Sequence, residues 1–462
     1  MSLDHEFEMT KEQFLEIVQS EDVLQIREFL NNQNISDVAE LINDFSDYES
    51  QIIGNMSTHR AASTFKILDV PTQKRIIHEL PAFKTAELLN DLSADDRTSF
   101  LEELPSEVVK ELIKTLDPEE RRITLSLLGY PESSVGRLMT PDYIAVEKDW
   151  TVAEVIEHIR EVGKDSETID VIYVVDDKGL FIDDVRIREI ILANPEKKIE
   201  DVIDNRYIAL HVEDDQETAS QAFKMNNRVA LPVLDNNNLL LGIVTIDDVL
   251  WVTQEEFSED IQKIGGTEAL DEPYLEIPLM KLFKKRIVWL VVLFLGEMLT
   301  ATAMGYFEDE IAKAVVLALF VPLIISSGGN SGSQASTLII QAMALGEIHI
   351  ADWWRVIKRE LISGLLLGAV LGIIGFTRVM LWNQIFHTYG THSFLIALTV
   401  GMSLIGVVLW GTLAGSMLPI VLKKLGADPA TSSAPFVATL VDVTGLIIYF
   451  SVAFVIMRGV LL

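Results

Sequence analysis

Two stretches hold residues whose types and spacing could do chemistry on a cation. The first is Val321 to Gln334, VPLIISSGGNSGSQ, which follows an apolar run from Ile311 to Ile325. Pro322 lacks a backbone donor and Gly328–Gly329 relax the chain, so the spacing predicts that helix stops here, near the inner face of a bilayer. Asn330, Ser331, Ser333 and Gln334 then offer amide and hydroxyl oxygens without charge. Irregular backbone is tolerated at membrane depth only where protein buries it or water lines it. Main-chain carbonyls in such a place replace part of an ion's hydration shell. The plainer alternative is a Gly-rich loop after an ordinary transmembrane helix. The second stretch is PFVATLVDVTGLIIYF, in which Asp442 stands alone among apolar residues. A charge at the bilayer centre costs roughly 2.5–3.5 kcal/mol on insertion scales, so an intramembrane acid points to function. No basic residue lies between Asp428 and Met457, which leaves a partner on another helix, or protonation, as the alternative. Mg2+ keeps several waters and binds through one or two carboxylates, so one Asp with carbonyls nearby suits a hydrated divalent cation.

Both stretches need a membrane scaffold, and the sequence supplies one. Five apolar runs, about 286–306, 311–327, 361–381, 394–418 and 435–457, mostly reach the ~20 residues that span hydrocarbon. Lys281, Lys284, Lys285 and Arg286 precede the first run; Arg355, Lys358 and Arg359 separate the second and third; Lys423 and Lys424 separate the fourth and fifth. Lys313, Arg378 and Arg458 fall on the other side, so the basic residues predict cytoplasmic N-terminal domains and a C-terminus outside. Gly364, Gly368 and Gly372 have the small-residue spacing of close helix packing. Glu297, in the middle of the first run, reads as an interhelix hydrogen-bonding group rather than an ion ligand.

The rest of the chain is soluble in character and strongly acidic. From Leu279 onward there are 9 acidic and 12 basic residues, a net of +3; residues 1–278 hold the other 60 acidic and 25 basic, a net of −35, which together make the −32 of the whole chain. Such a surface repels nucleic acid and anionic lipid and gathers cations. The absence of Cys excludes disulfides and thiolate metal sites. The first twenty residues are acidic with no apolar core, so no signal peptide is expected. Residues 10–130 read as helices only, with a repeated short unit starting at Pro71, Pro81, Ser93, Pro105 and Pro118. Proline, Ser or Asp at each start, with acids in the first turn, predicts stacked short helices in a superhelix. From about 136 to 252 the pattern changes to strand, helix, strand, turn, strand, helix, twice over. An acidic connector helix, Glu255 to Gly266 within a segment 253–272, then leads to the membrane part at 280–462.

The double unit resembles a tandem pair of CBS domains, on Leu138–Met139–Thr140–Pro141, Leu231–Pro232–Val233 and Gly242 through Asp248. That resemblance implies an adenine-nucleotide cleft, ATP included, near Thr245, Asp248 and Arg188; the first repeat departs from it with Val185–Arg186–Ile187–Arg188–Glu189. A dimerising scaffold without ligand is the alternative. The whole order, an all-α superhelical N domain, an α/β CBS pair, an acidic connector and a five-helix membrane domain, resembles the MgtE family of magnesium channels. The residues that carry the match are Pro322, Gly328 through Gln334, Lys285–Arg286 with Trp289–Leu290, Ala427–Asp428–Pro429, and Asp442 through Gly445. The resemblance implies a homodimer in the lipid bilayer, lined by the second and fifth spans, with no enzymatic activity and no nucleic-acid or other protein partner. Asp442 becomes the main Mg2+ ligand, with carbonyls near Gly328, Gly329 and Ala438. Asp95, Glu217, Asp248, Glu256, Glu259 and Asp260 become regulatory Mg2+ ligands that close the channel, whereas Asn227 and Trp251 stand where acids are expected. Two rival classes, a membrane enzyme with an adenylate sensor and an anion channel with CBS domains, lack respectively a catalytic cluster and a basic filter. Channel or coupled transporter, and the choice among Mg2+, Co2+, Mn2+ and Ni2+, stay open.

Overall fold

A computed structural model describes residues 2–20, 22–270, 274–275 and 277–460; the connector's last part, 271–272, lies outside the described residues. The chain divides into two units, residues 1–255 and 256–462.

The first unit opens with short helices. Val70–Glu79, Ala82–Asp91, Ala94–Glu102, Ser106–Thr115 and Pro118–Leu127 begin within a residue of the expected starts. Several helices pack on the next but one, as Ala94–Glu102 does on Pro118–Leu127, which is what stacks them into a superhelix. Acids occupy the first turn of only the last three; capping by Asp69, or proline near the start, serves the others. Arg97 is wholly buried at the seam between stacked helices. It donates to the carbonyls of Leu89 (3.2 Å) and Leu92 (2.9 Å), to Thr124 Oγ1 (2.8 Å) and to Glu120. The first two acceptors lie at the end of Ala82–Asp91, whose last carbonyls have no partner within the helix.

Two three-stranded sheets follow, β1 (Ala145–Glu147), β2 (Val171–Val175) and β3 (Phe181–Arg186), then β4 (Leu210–His211), β5 (Ala230–Leu234) and β6 (Leu240–Thr245). In each sheet the first pair is parallel and the second antiparallel, with a register shift at the end of the middle strand. The internal repeat is therefore present in register as well as in order. The connector is not a separate helix: Ile246–Ile264 runs without a break from the second sheet, because no Gly or Pro interrupts it before Gly265–Gly266. Gly266 stops it at φ +76°, where an L side chain would be strained.

The second unit holds five helices long and apolar enough to cross a membrane: the first span Leu279–Tyr306, the second Val321–Ala344 behind a 3-10 turn at Val315–Phe320, the third Trp353–Phe386, the fourth Ser393–Lys424 and the fifth Ala434–Met457. Arg355, Lys358 and Arg359 sit in the first turns of the third span rather than in a loop. That span's Gly368 and Gly372 meet the fourth span closely; a methyl on Gly368 would stand 2.9 Å from the Ile405 Cα.

The second span corrects the sequence reading. Pro322 lies in the first helical turn, where its missing N–H would have been unpaired anyway, so it starts the helix instead of ending it. Gly328–Gly329 then continue the helix at negative φ. Glycine in a helix interior costs about 0.5–1 kcal/mol, and close packing offsets this. A Cβ on Gly328 would lie 2.9 Å from Val441 Cγ1, and one on Gly332 would lie 3.0 Å from the Gly411 carbonyl of the fourth span. Their carbonyls belong to the helical ladder.

Candidate ion path and acidic clusters

The second and fifth spans are pinned together near one end. Ser333 Oγ donates to the Ala434 carbonyl (2.9 Å) and Ser336 Oγ to the Ser432 carbonyl (3.1 Å). This fixes the helices so that Gly329 faces Ala438 and Asp442: a Cβ on Gly329 would stand 3.4 Å from the Ala438 Cβ and 3.5 Å from Asp442 Oδ1. Gly329, Ala438 and Asp442, expected together, do come together. Gly328 turns the other way, toward Val407 and Val441. Asp442 is half-buried and has no hydrogen-bond or ion-pair partner among the described residues. Beside it the second span leaves Ser326, Asn330 and Gln334, each one turn from the next, exposed. Ser331, expected to face the ion, is buried, and its hydroxyl has no hydrogen-bond partner among the described residues. The arrangement offers a hydrated cation one carboxylate and a row of amide and hydroxyl oxygens.

In the first unit, Asp95 and Asp248 also come together. Asp95 starts the helix Ala94–Glu102, Asp248 starts Ile246–Ile264, and Asp96, Glu167 and Asp247 surround them. Burial first, then the like charges of Asp248, Asp96 and Glu167, push Asp95 well above the usual carboxylate range. Its Oδ1 is buried without a hydrogen-bond partner among the described residues. Burial also pushes Asp248 up to about 7; the Thr245 hydroxyl opposes this and Asp247, Asp96 and Glu167 add to it. Lys66 is the cation at this cluster, 3.3 Å from Asp96 and 3.9 Å from Asp247. Burial works against its charge, but Asp96, Glu167 and Asp247 hold its pKa raised. Glu217 is exposed on the first turn of Gln216–Asn226 and is not among the main acids acting on Asp95 or Asp248.

A second cluster lies in the second unit. Glu256, Glu259 and Asp260 share the end of the long helix with Asp428 from the loop before the fifth span. Burial, then Asp428, pushes Asp260 up to about 6, with Lys263 opposing. Lys263 Nζ donates to Asp428 Oδ2 at 2.7 Å and pairs with Glu259. Asp96, Glu167, Lys66, Lys263 and Asp428 were not picked out as site residues. Only the Glu259–Lys263 spacing and the Ala427–Asp428–Pro429 motif hinted at any of them. Among the described residues, no three His, Asp or Glu side chains stand close enough to hold a metal directly.

The residues expected at the nucleotide cleft lie in two settings. Thr245 Oγ1 lies 2.5 Å from both Asp247 Oδ1 and Asp248 Oδ2, inside the acidic cluster, where a polyphosphate would be repelled. Arg188 is exposed on Ile187–Leu192. Arg228 Nη1 to Asp184 Oδ2 at 2.5 Å, with the Phe181 N–H donating to the Asn238 carbonyl at 2.9 Å, joins the two repeats.

Comparison with known proteins agrees with this layout. Residues 321–452 match a family model described as a divalent cation transporter, MgtE; residues 8–133 match the MgtE intracellular N domain, and 135–196 and 182–254 match CBS domains. A magnesium transporter MgtE of Thermus thermophilus is 39% identical over 343 residues, 74% of each chain. Another, of Bacillus subtilis, is 30% identical over 386 residues, 82% of each. A crystal structure of the cytosolic domain of the Mg2+ channel MgtE in complex with ATP is 30% identical, covers 52% of this chain and 99% of its own, and has a TM-score of 0.51. The soluble part of a magnesium transporter, 24% identical with a TM-score of 0.51, shares the fold. With the Thermus protein's identity sustained over 74% of its length, and the transporter, N-domain and CBS models falling in the order of the observed units, the chain belongs to the MgtE family.

Proposed function

We propose that the protein is a Mg2+-selective membrane channel or transporter for magnesium uptake, closed by cytoplasmic Mg2+. The observation that carries this is Asp442: a carboxylate within a membrane span, without a partner, beside Gly329 and Ala438 and next to an uncovered row of Ser326, Asn330 and Gln334. A polar row facing hydrocarbon is untenable, so a second copy of the chain covers it and water fills the space between. The pore is then lined by the second and fifth spans of a homodimer, with two Asp442 carboxylates holding a hydrated ion through its waters. Gly328 supports the wall from behind. The N-terminal unit is cytoplasmic and the C-terminus outside, by the distribution of Lys and Arg. No part of this reading calls for an enzymatic reaction.

For gating, the carrying feature is the buried, unpartnered Asp95 Oδ1 facing like-charged neighbours. Mg2+ beside Asp95 and Asp248, and beside Glu256, Glu259 and Asp260, neutralises charges that otherwise repel. Glu217 joins from a neighbouring domain if the compact state brings it near. A ligand shifts such an equilibrium only by its preference for one state, so weak sites favouring the compact state suffice for a cellular sensor. ATP at the CBS pair is a second reading, favoured by the ATP-bound relative. In this chain it keeps Arg188 but not Asp248 or Thr245.

The experiment is Asp442→Asn in full-length protein, which removes charge and keeps size. Mg2+ uptake into proteoliposomes should fall to background while the dimer stays folded. Uptake at the wild-type level would sink the pore assignment.

A further inference from the structure

The first span carries a carboxylate that the reading above leaves without a task. Glu297 sits in the middle of Leu279–Tyr306, exposed, and makes no hydrogen bond or ion pair among the described residues, where the interhelix hydrogen bond its position suggests is not formed. The fifth span is the main element against which the first packs. Their contact runs through Gly296, where a Cβ would stand 2.8 Å from Thr439 Cγ2, one turn before Asp442. Glu297 adjoins Gly296, and its charge acts on Asp442. One turn further along, Thr300 is the buried residue of this span among the described residues, and its hydroxyl has no hydrogen-bond partner among them.

An unpaired carboxylate in hydrocarbon costs several kcal/mol, and a second one within electrostatic reach adds to that cost. Neither lipid nor protein offsets it here. A divalent cation and its waters would offset both charges at once. We propose that Glu297 is a second anionic group of the ion path, which together with Asp442 sets the preference for divalent over monovalent cations. The attraction scales with the product of charges, so adding a second carboxylate favours a doubly charged ion twice as strongly as a singly charged one. This rests on Asp442 being a pore ligand.

The test uses full-length protein in proteoliposomes, with Mg2+ uptake and Na+ leak measured on the same preparations. Glu297→Gln should lower uptake at subsaturating Mg2+ about tenfold, the scale a unit charge supplies at a partly hydrated site, and should leave Na+ leak unchanged or raised. Glu297→Asp, which retracts the charge by one methylene, should lower uptake but keep the Mg2+ over Na+ preference. Glu297→Gln with Asp442→Asn should lose less than the product of the single effects, because both groups act on one ion. If Asp442→Asn abolishes uptake while Glu297→Gln matches wild type in uptake and in the Mg2+/Na+ ratio, Glu297 is a bystander and only this proposal fails. If Asp442→Asn also matches wild type, the pore reading itself fails. Should Glu297→Gln not fold, unchanged uptake by Glu297→Asp overturns the proposal.

Discussion

Adjacent glycines in the second span do different work, and a methyl group tells them apart. At Gly329 a Cβ makes ordinary contact, 3.4 Å from the Ala438 Cβ and 3.5 Å from Asp442 Oδ1. At Gly328 the same atom meets Val441 Cγ1 at 2.9 Å and Val407 more closely still. Gly329→Ala should therefore fold normally and lower Mg2+ uptake, because it crowds the carboxylate. Gly328→Ala should destabilise the membrane unit by about 1–3 kcal/mol, as overpacked cores do. Thermal unfolding in detergent beside uptake measurements checks the pair; equal behaviour of the two would show that Gly329 does not face the ion path.

Elements are held by a few buried charges that can be tested singly. Arg97 ties stacked helices of the N-terminal unit through Leu89, Leu92, Thr124 and Glu120. Arg97→Met removes the cation and leaves two buried helix-end carbonyls without it, while the part-exposed Glu120 can be hydrated, a loss of about 1–3 kcal/mol. Cooperative unfolding at the wild-type denaturant midpoint would refute that role. The long helix Ile246–Ile264 is anchored at its end by Lys263 to Asp428 and Glu259. These groups are about a quarter to a third exposed, so the anchor is modest, on the order of 1 kcal/mol. Lys263→Met should raise amide exchange across 258–264 several-fold and leave exchange in the first unit unchanged.

At the scale of the whole molecule, charge is the controlling term. Burial and like charges push Asp248 and Glu102 up to about 7 and Asp260 up to about 6, with Thr245, Arg137 and Lys263 respectively opposing. Free carboxylates titrate near about 4, so between about pH 4 and 7 the folded protein binds more protons than the unfolded chain. Stability is then greatest in acid and is lost as pH rises through about 7. Without divalent cations, the full-length protein should unfold at a higher temperature at about pH 5.5 than at about pH 8. Mg2+ should raise the pH 8 value and change the acid one little. A melting temperature that is flat with pH and with Mg2+ would leave the acids as a solvated face. Protection of residues 258–264 from protease by millimolar Mg2+, abolished in a Glu259→Gln and Asp260→Asn double variant, is the matching result for the connector.

Local patterns alone determined the helical repeat, the doubled sheet unit and the number of spans, because periodicity and capping act over a few residues; the second span, expected over 311–327, runs instead over Val321–Ala344. Asp442 was legible for the same kind of reason: a lone acid in an apolar run is costly wherever the run goes. Tertiary structure decided the rest. The Gly328–Gly329 pair reads as a break until the fourth and fifth spans are seen pressing on it, since a helical glycine is justified only by what approaches it. The grouping of Asp95 with Asp248, and of Asp260 with Asp428, depends on contacts between residues more than 150 positions apart. Glu297 shows the limit most plainly. Its type and depth were visible in the chain, but whether a mid-span carboxylate finds a hydrogen bond or stands unpaired beside another acid is settled only by which helix packs against it.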